Sequence, residues 1–350
     1  MWCGTWTGGL GYSQDGRKFK LLDETKGVKV SAFMEMGDSM FVGTANGLSY
    51  FDKNSLERGI LSKFPSRRKI KDLFYDSKNR FWVGSQQQGL FLYDYQNDKS
   101  LENGIRYRSK SNKDGGLNSE RISKIVEDHQ GNIWIGTYNG LYVFNQSDST
   151  FTRKDNIESG SFPSVIVLSL LTTETGELWI GMPGVLIKTK VDNGNIEILK
   201  TFDAGKGLKN DYITGVTADK NENIWLSNTS GIATILKENE AIVNLTLNQD
   251  NAYAMNINSY FNDGMHIYFG SSNGFFYFDP LQIDPLDSAP GLIFNNLKID
   301  NKEVGVGENI NGRIVLDQAM PFTKKVKITN LESIVTIGFV PDDFRDQANL

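Results

Sequence analysis

The chain has 350 residues, of which 39% are hydrophobic, and 37 basic side chains against 42 acidic ones for a net charge of −5. With 35 Gly and only 8 Pro it suits a globular fold with many tight turns and excludes collagen-like or Pro-rich disordered chains. No basic run exceeds Arg67-Arg68-Lys69, which argues against nucleic acid as a partner, and the longest apolar run, Val165 to Leu171, is far below the roughly 20 residues that span a bilayer.

A short phrase returns seven times in chain order: an aromatic, an aliphatic, Gly, then usually Thr or Ser, with a second Gly soon after. Its anchors are Trp2, Phe41, Trp82, Trp134, Trp179, Trp225 and Tyr268, spaced 39, 41, 52, 45, 46 and 43 residues apart. That period fits one four-stranded blade per repeat and excludes leucine-rich and ankyrin units. The expected fold class is all-β, a seven-bladed β-propeller. Met1 leads straight into the middle of a repeat, so an upstream part is expected, and the first blade should lack its inner strand.

The fullest copy shows the grammar. Ile122, Ile125 and Val126 lead into the polar turn Glu127 to Asn132, β-branched and aromatic Ile133-Trp134-Ile135 follow, and Asn139-Gly140 supplies positive φ for a hairpin into Leu141 to Phe144. Asn46-Gly47 and Asn273-Gly274 repeat that hairpin, with weaker versions at Gln88-Gly89 and Ser230-Gly231. The Gly two places after each anchor is expected to open a gap for a large ring of the adjacent blade. Cys3 cannot form an internal disulfide and is expected to be a small buried strand residue.

The repeats end near Phe278-Asp279, and Pro280 to Pro285 reads as a linker. The predicted domains are therefore 1–284, the propeller, and 285–350, the first part of a β-sandwich of immunoglobulin-like type with strands at 292–294, 297–299, 313–316, 326–328 and 334–337. The chain stops before such a sandwich could close, so an open and weakly stable edge is expected there.

Catalytic and metal sites are expected to be absent, and no cofactor is expected. The two histidines, His129 and His266, belong to different repeats, and no Cys/His ligand spacing exists. Gly305-Val306-Gly307 lacks the rest of a phosphate loop, and Asp219 to Asn223 lacks the Gly and terminal Glu of a calcium loop. It reads instead as a turn in which Asp and Asn bond their own backbone.

Glu127 through Leu141 resembles the two-component regulator propeller repeat, and Ala289 through Phe339 resembles the opening of the Y_Y_Y domain that follows such propellers. The resemblance implies the periplasmic sensor region of a Bacteroidetes hybrid two-component system that detects glycan fragments. It also implies a second propeller upstream, and a transmembrane helix, histidine kinase and receiver downstream. The membrane would be met only through those other segments, and the full parent would dimerise. A second reading is a propeller enzyme of streptogramin-lyase-like type, which would need a His and an acidic partner converging on one face.

In a propeller the loops joining second to third strand, and fourth strand to the next blade, gather at one face. Those loops hold the candidate ligand residues Trp6, Arg67, Arg68, Gln87, Arg121, Tyr138, Tyr212, Asn228 and Tyr253. Aromatic faces that stack on sugar rings, with amide and guanidinium groups that meet hydroxyls or carboxylates, suit an oligosaccharide or a comparable small ligand.

Overall fold

The computed structural model describes residues 1–350 except 15, 17, 60–68, 98–100, 102, 109–115, 156–161, 163, 210, 211, 230, 246–254, 273, 284–291, 321, 322, 324, 329–333 and 342–350. The chain forms two compact units, Met1–Ile283 and Asp284–Leu350.

Each copy of the repeated phrase is one strand of an antiparallel sheet, and the seven sheets follow one another along the first unit. Among the described residues five have four strands and two, the first and last, have three. Blade 1 holds Trp2–Gly4, Leu10–Tyr12 and Lys20–Leu21; blade 2 runs from Val30–Met36 to Arg58–Gly59; blade 3 from Ile70–Tyr75 to Ile105–Tyr107. Blade 4 runs from Ile122–Glu127 to Thr150–Arg153, blade 5 from Ser169–Thr172 to Asn195–Phe202, and blade 6 from Ile213–Ala218 to Ile242–Leu245. Blade 7 is Met255–Asn262, Ile267–Ser271 and Gly274–Phe278. The anchor strand is second in blades 2 to 7. In blade 1 it is the edge strand, because no described residue pairs on its inner side.

Apolar side chains are buried between blades. Six clusters each join one blade to the next, from Trp2, Leu10, Val30 and Phe51 at the first junction to Trp225, Met255, Ile267 and Phe269 at the last. Trp82, Trp134, Trp179 and Trp225 each pack against the following blade. The seventh sheet meets the first through Phe275 and Phe19, whose rings lie edge to face with centroids 6.0 Å apart. The arrangement is a propeller-like ring.

Each letter of the repeat has a separate physical task. The indole N–H of Trp82, Trp134 and Trp225 donates to a carboxylate six residues earlier, Asp76, Asp128 and Asp219, at 2.7–2.8 Å. The other carboxylate oxygen accepts backbone amides of its own turn, from Gln130 and Asn132 onto Asp128 and from Asn221 and Asn223 onto Asp219. Asp219 to Asn223 is thus the turn read from sequence, with the indole bond as an addition that the sequence reading missed. Blade 5 has Thr173 at the aspartate position, and Trp179 donates instead to Glu177 at 3.0 Å.

The Thr or Ser closes the following hairpin. Thr137 Oγ1 accepts from Asn139 N at 3.0 Å and donates to Gly140 O at 2.8 Å, and Thr44 does the same with Asn46 and Gly47. Positive φ falls on Gly140 and Gly47, at 117° and 127°, but not on Asn139 or Asn46. The expected Asn-Gly turn is therefore corrected: the hydroxyl staple lets glycine alone carry the unusual conformation.

The first Gly of the phrase also differs from expectation. It makes room chiefly for a β-branched residue at or just before the start of the next blade's inner strand, joined at Gly4 by the Phe33 ring. A Cβ built on Gly4, Gly43, Gly84 or Gly136 would stand 2.4–2.7 Å from Val30, Ile70, Ile122 or Val167 respectively. At blade 6 the Gly is replaced by Ser227, and blade 7 correspondingly opens with unbranched Met255.

The second unit contains a three-stranded sheet of Leu292–Ile299, Lys302–Glu303 and Val335–Pro341, and a hairpin of Asn309–Ile310 with Arg313–Ile314. Leu297, Ile299, Val304, Val315, Leu316 and Met320 form its core. The two segments expected at 292–294 and 297–299 are one strand, and 326–328 is not a strand. These two small sheets are coarser than the immunoglobulin-like sandwich expected from the sequence.

The buried carboxylate–indole bond makes the turn a stability determinant. Asp128→Ala is expected to cost about 2–4 kcal/mol, since it orphans a buried indole N–H and two turn amides, whereas Asp148→Ala on an exposed turn should cost below about 0.5 kcal/mol. Thermal melts of the two variants beside the parent provide the check. Indistinguishable melting points would refute the anchoring role.

Candidate functional site

The residue just before each inner strand stands at the end of the ring where the blade-to-blade loops and the second hairpins gather. Its backbone is fixed there by pairing with the hairpin of its own blade: Ala45 N donates to Lys29 O at 2.9 Å, Gln86 N to Lys69 O at 2.8 Å and Tyr138 N to Arg121 O at 3.1 Å. Blades 2, 3 and 4 thus place Lys29, Lys69 and Arg121 at equivalent positions, where blades 5 and 6 have Ile166 and Tyr212. Two of these cations lie over aromatic rings. Lys29 Nζ is 3.2 Å from the Trp6 ring centroid and the Arg121 guanidinium is 3.8 Å from that of Tyr138, within the range of a cation–π attraction.

Two residues further in, the inner strands of blades 2, 3, 4 and 6 carry a β-bulge, at Ser31, Lys71, Ser123 and Thr214. Ser31 Oγ donates to the Ile70 carbonyl of the neighbouring blade at 2.6 Å, and Thr214 shares a 2.8 Å bond with Ser227. Lys71 has a lowered pKa, first through burial and then through the like charges of Lys29, Arg121 and Lys69.

Below this level the inner strands meet across the middle of the ring. Lys124 Nζ bonds Asp72 Oδ1 at 3.0 Å, Asp72 Oδ2 accepts the Ile125 amide at 2.7 Å, and Lys124 faces the Tyr260 ring at 5.8 Å. Burial works against the Lys124 ammonium, but Asp72 keeps its pKa raised; burial raises Asp72 as well, offset in part by that ammonium. Asn258 of blade 7, at φ 55°, donates across the ring to the Ser123 carbonyl of blade 4 at 2.8 Å. Blades 3, 4 and 7 are therefore pinned together by one polar cluster.

The structure brings together Trp6, Arg121 and Tyr138 of the predicted set at this mouth. Trp6 is 66% exposed, and Gln87 lies exposed in the blade 3 hairpin of the same end. Tyr212 is half-buried and bridges to Pro183 at the blade 5–6 junction, away from the cationic arc. Asn228 leaves the candidate set: it is 2% exposed and donates its amide to the Lys209 carbonyl at 2.8 Å. Arg67, Arg68 and Tyr253 lie outside the described residues. Sequence reading missed Lys29, Lys69 and Lys71. For Lys29 and Lys69 the signal was a cation 12 or 13 residues before the anchor, shared with Arg121 and visible once blades are laid over one another; Lys71 stands 11 before Trp82, with no counterpart cation.

Other features lie elsewhere. Two surface depressions of about 390 and 580 Å³ are lined by turns such as Asn145–Asp148 with Asn193, and Gly37–Asp38 with Tyr75 and Tyr95, mostly at the opposite ends of the strands. His129 is exposed in the blade 4 turn, and His266 contacts Asp263 at 3.6 Å in blade 7. Among the described residues no group of three His, Cys, Asp or Glu side chains is placed to hold a metal. Nor, among the described residues, is any helix long and apolar enough to cross a membrane.

Comparison with known proteins bears on the repeat and the fold. A profile described as "Two component regulator propeller" matches residues 116–139. A histidine kinase from Formosa agariphila is 23% identical over 96% of this chain and 24% of its own length. The extracellular domain of a hybrid two component system protein from B. thetaiotaomicron superposes with a TM-score of 0.76 at 21% identity, over 97% of this chain and 45% of that one. The extracellular domain of a one component system protein from the same organism gives 0.60 at 17% identity, over 87% and 41%. The chain thus spans about a quarter of the curated relative and less than half of these two structures, and it shares their propeller-like fold.

The pinned cluster sets a further expectation. Asp72→Ala leaves Lys124 without its carboxylate and is expected to cost about 3–5 kcal/mol, most of it recovered when Lys124→Met is added. Chemical denaturation of the single and double variants measures this. A double variant no more stable than Asp72→Ala would show that the ammonium is not the penalty.

Proposed function

We propose that this chain is an extracytoplasmic ligand-sensing part of a two-component sensor histidine kinase and that it binds a glycan fragment at the mouth over blades 1 to 4. The observation that carries the reading is the pairing of cation and aromatic ring at Lys29–Trp6 and Arg121–Tyr138, on one end of a ring. Aromatic faces stack on the apolar faces of sugars, and guanidinium or ammonium groups bond their oxygens. The similarity of this chain to about a quarter of a histidine kinase, and the fold shared with extracellular domains of two-component proteins, support a sensing role beside a kinase. Periplasmic placement, dimerisation of the parent and passage of the signal through the second unit are parts of the same proposal.

Reversible binding without turnover is the expected behaviour. Titration calorimetry against plant and host oligosaccharides, with chromatography of the products, tests it. One sugar class should bind, and Arg121→Ala and Tyr138→Ala should each weaken it by roughly tenfold, the loss of about 1.4 kcal/mol. Cleavage of the ligand would favour the lyase-like enzyme instead. Binding that ignores both substitutions would move the site off this mouth.

A further inference from the structure

The mouth carries charge that the fold leaves unanswered. Lys71 occupies the bulge position where three other blades place a small hydroxyl, and nothing in the sheet calls for an ammonium there. It is half-buried, and its electrostatic surroundings are Lys29, Lys69 and Arg121. Among the described residues no ion pair engages any of these four, whereas Lys124, deeper in the ring, has Asp72 at 3.0 Å. Glu120, next to Arg121 in sequence, is engaged by Arg108 at 3.6 Å. On the neighbouring blade the equivalent bulge residue, Ser123, is 3% exposed, and its Oγ has no hydrogen-bond partner.

A charge taken from water costs free energy unless it is paired, and like charges brought together add to that cost. Lys29 and Lys71, both half-buried, are therefore held at a penalty to the folded chain, with Lys69 and Arg121 exposed beside them. Groups held at such a penalty, in a place with flanking aromatic faces, mark a binding site whose missing partner is an anion.

We infer that the glycan taken at this mouth is an acidic one, bearing carboxylate or sulfate groups, with Lys71 as its central contact and Lys29, Lys69 and Arg121 around it. This inference rests on the saccharide-binding reading above and deepens it. Trp6 and Tyr138 supply the stacking faces at either side of the arc. Uronic acids and sulfate esters share the chemistry the site recognises.

Calorimetry on the intact chain separates the two sources and the two levels of the proposal. The probes are uronate-bearing oligosaccharides beside their methyl esters, and sulfated oligosaccharides beside their desulfated forms, so that each pair keeps its sugar backbone and loses its charge. An acidic member is expected to bind roughly tenfold or more tightly than its neutral counterpart, and to weaken as salt screens the charges. Lys71→Met should weaken it by a similar factor without lowering the melting temperature, because it removes repulsion from the fold. Lys71→Gln and Lys29→Ala give the same test should that variant fold poorly. Preference for uronates or for sulfates tells which anion is meant. Neutral forms that bind as tightly as acidic ones, with Lys71 variants unchanged, would overturn this inference and leave the saccharide reading standing. Binding of no saccharide, charged or neutral, would overturn both. Tripolyphosphate bound as tightly as the best saccharide would reduce the mouth to a general anion patch and overturn the assignment.

Discussion

The close approach of a β-branched side chain to a bare glycine backbone sets where the blades meet near the axis. Val30 rests on Gly4, Ile70 on Gly43 and Ile122 on Gly84, at separations that leave no room for a Cβ. Each of these residues opens an inner strand, so the contact fixes the height of that strand against its neighbour. The residues immediately before them are Lys29, Lys69 and Arg121. A packing constraint in the core thereby places three cations at one level of the mouth. Any residue larger than Gly would push the next inner strand away, and the whole arc with it, since cores yield poorly to added volume.

A second, polar constraint acts at the other ends of the same strands. The buried aspartates that hold indole N–H groups also close the turns that carry them, so a single carboxylate satisfies both a ring and a backbone reversal. Buried polar groups left unpaired would cost more than these bonds contribute, which explains why the aspartate sits at a fixed distance before the tryptophan. Blade 7 departs from the pattern. Its anchor is Tyr268, whose hydroxyl bonds the exposed-side Asp263 at 3.0 Å, and neighbouring Phe261 and Tyr277 are 58% and 61% exposed. That blade has no fully formed neighbour on its far side, because the sheet that follows it in the ring, blade 1, has no inner strand among the described residues.

How far the sequence could be read depended on whether a feature repeats. The anchors, their spacing and the polar turns recur in nearly every blade, so seven sheets and the edge position of Trp2–Gly4 were legible from pattern alone. The tasks within the phrase were not. Gly and Thr or Ser act on partners 26 to 38 residues away or across a hairpin, and a one-dimensional pattern does not say which of two neighbours fills a gap. Asn228 looked like an exposed loop amide because it ends a strand; its side chain in fact answers the Lys209 carbonyl. Lys29, Lys69 and Lys71 were overlooked, and Arg121 was not joined to them, for the opposite reason. They vary from blade to blade, appear only on three, and become a group when the ring brings the starts of successive inner strands together.

The mouth and the middle of the ring are covalently continuous at one point that would matter on the sensing reading. Lys71 and Asp72 are adjacent, and Asp72 ties its strand to blade 4 through Lys124 and the Ile125 amide. Blade 4 in turn receives Asn258 from blade 7. A ligand that neutralises Lys71 changes the field at this cluster, yet field alone moves nothing unless two arrangements of the cluster differ in their affinity for the ligand. The cluster has the makings of such a difference: Asn258 sits at a φ of 55°, and its Oδ1 is buried without a partner. A left-handed asparagine with an unsatisfied oxygen thus meets blade 4 at Ser123, the position equivalent to Lys71 of blade 3. On the sensing reading, this cluster is the part of the ring that a ligand on Lys71 would bias first, since Asp72 follows Lys71 in the chain and reaches blade 4.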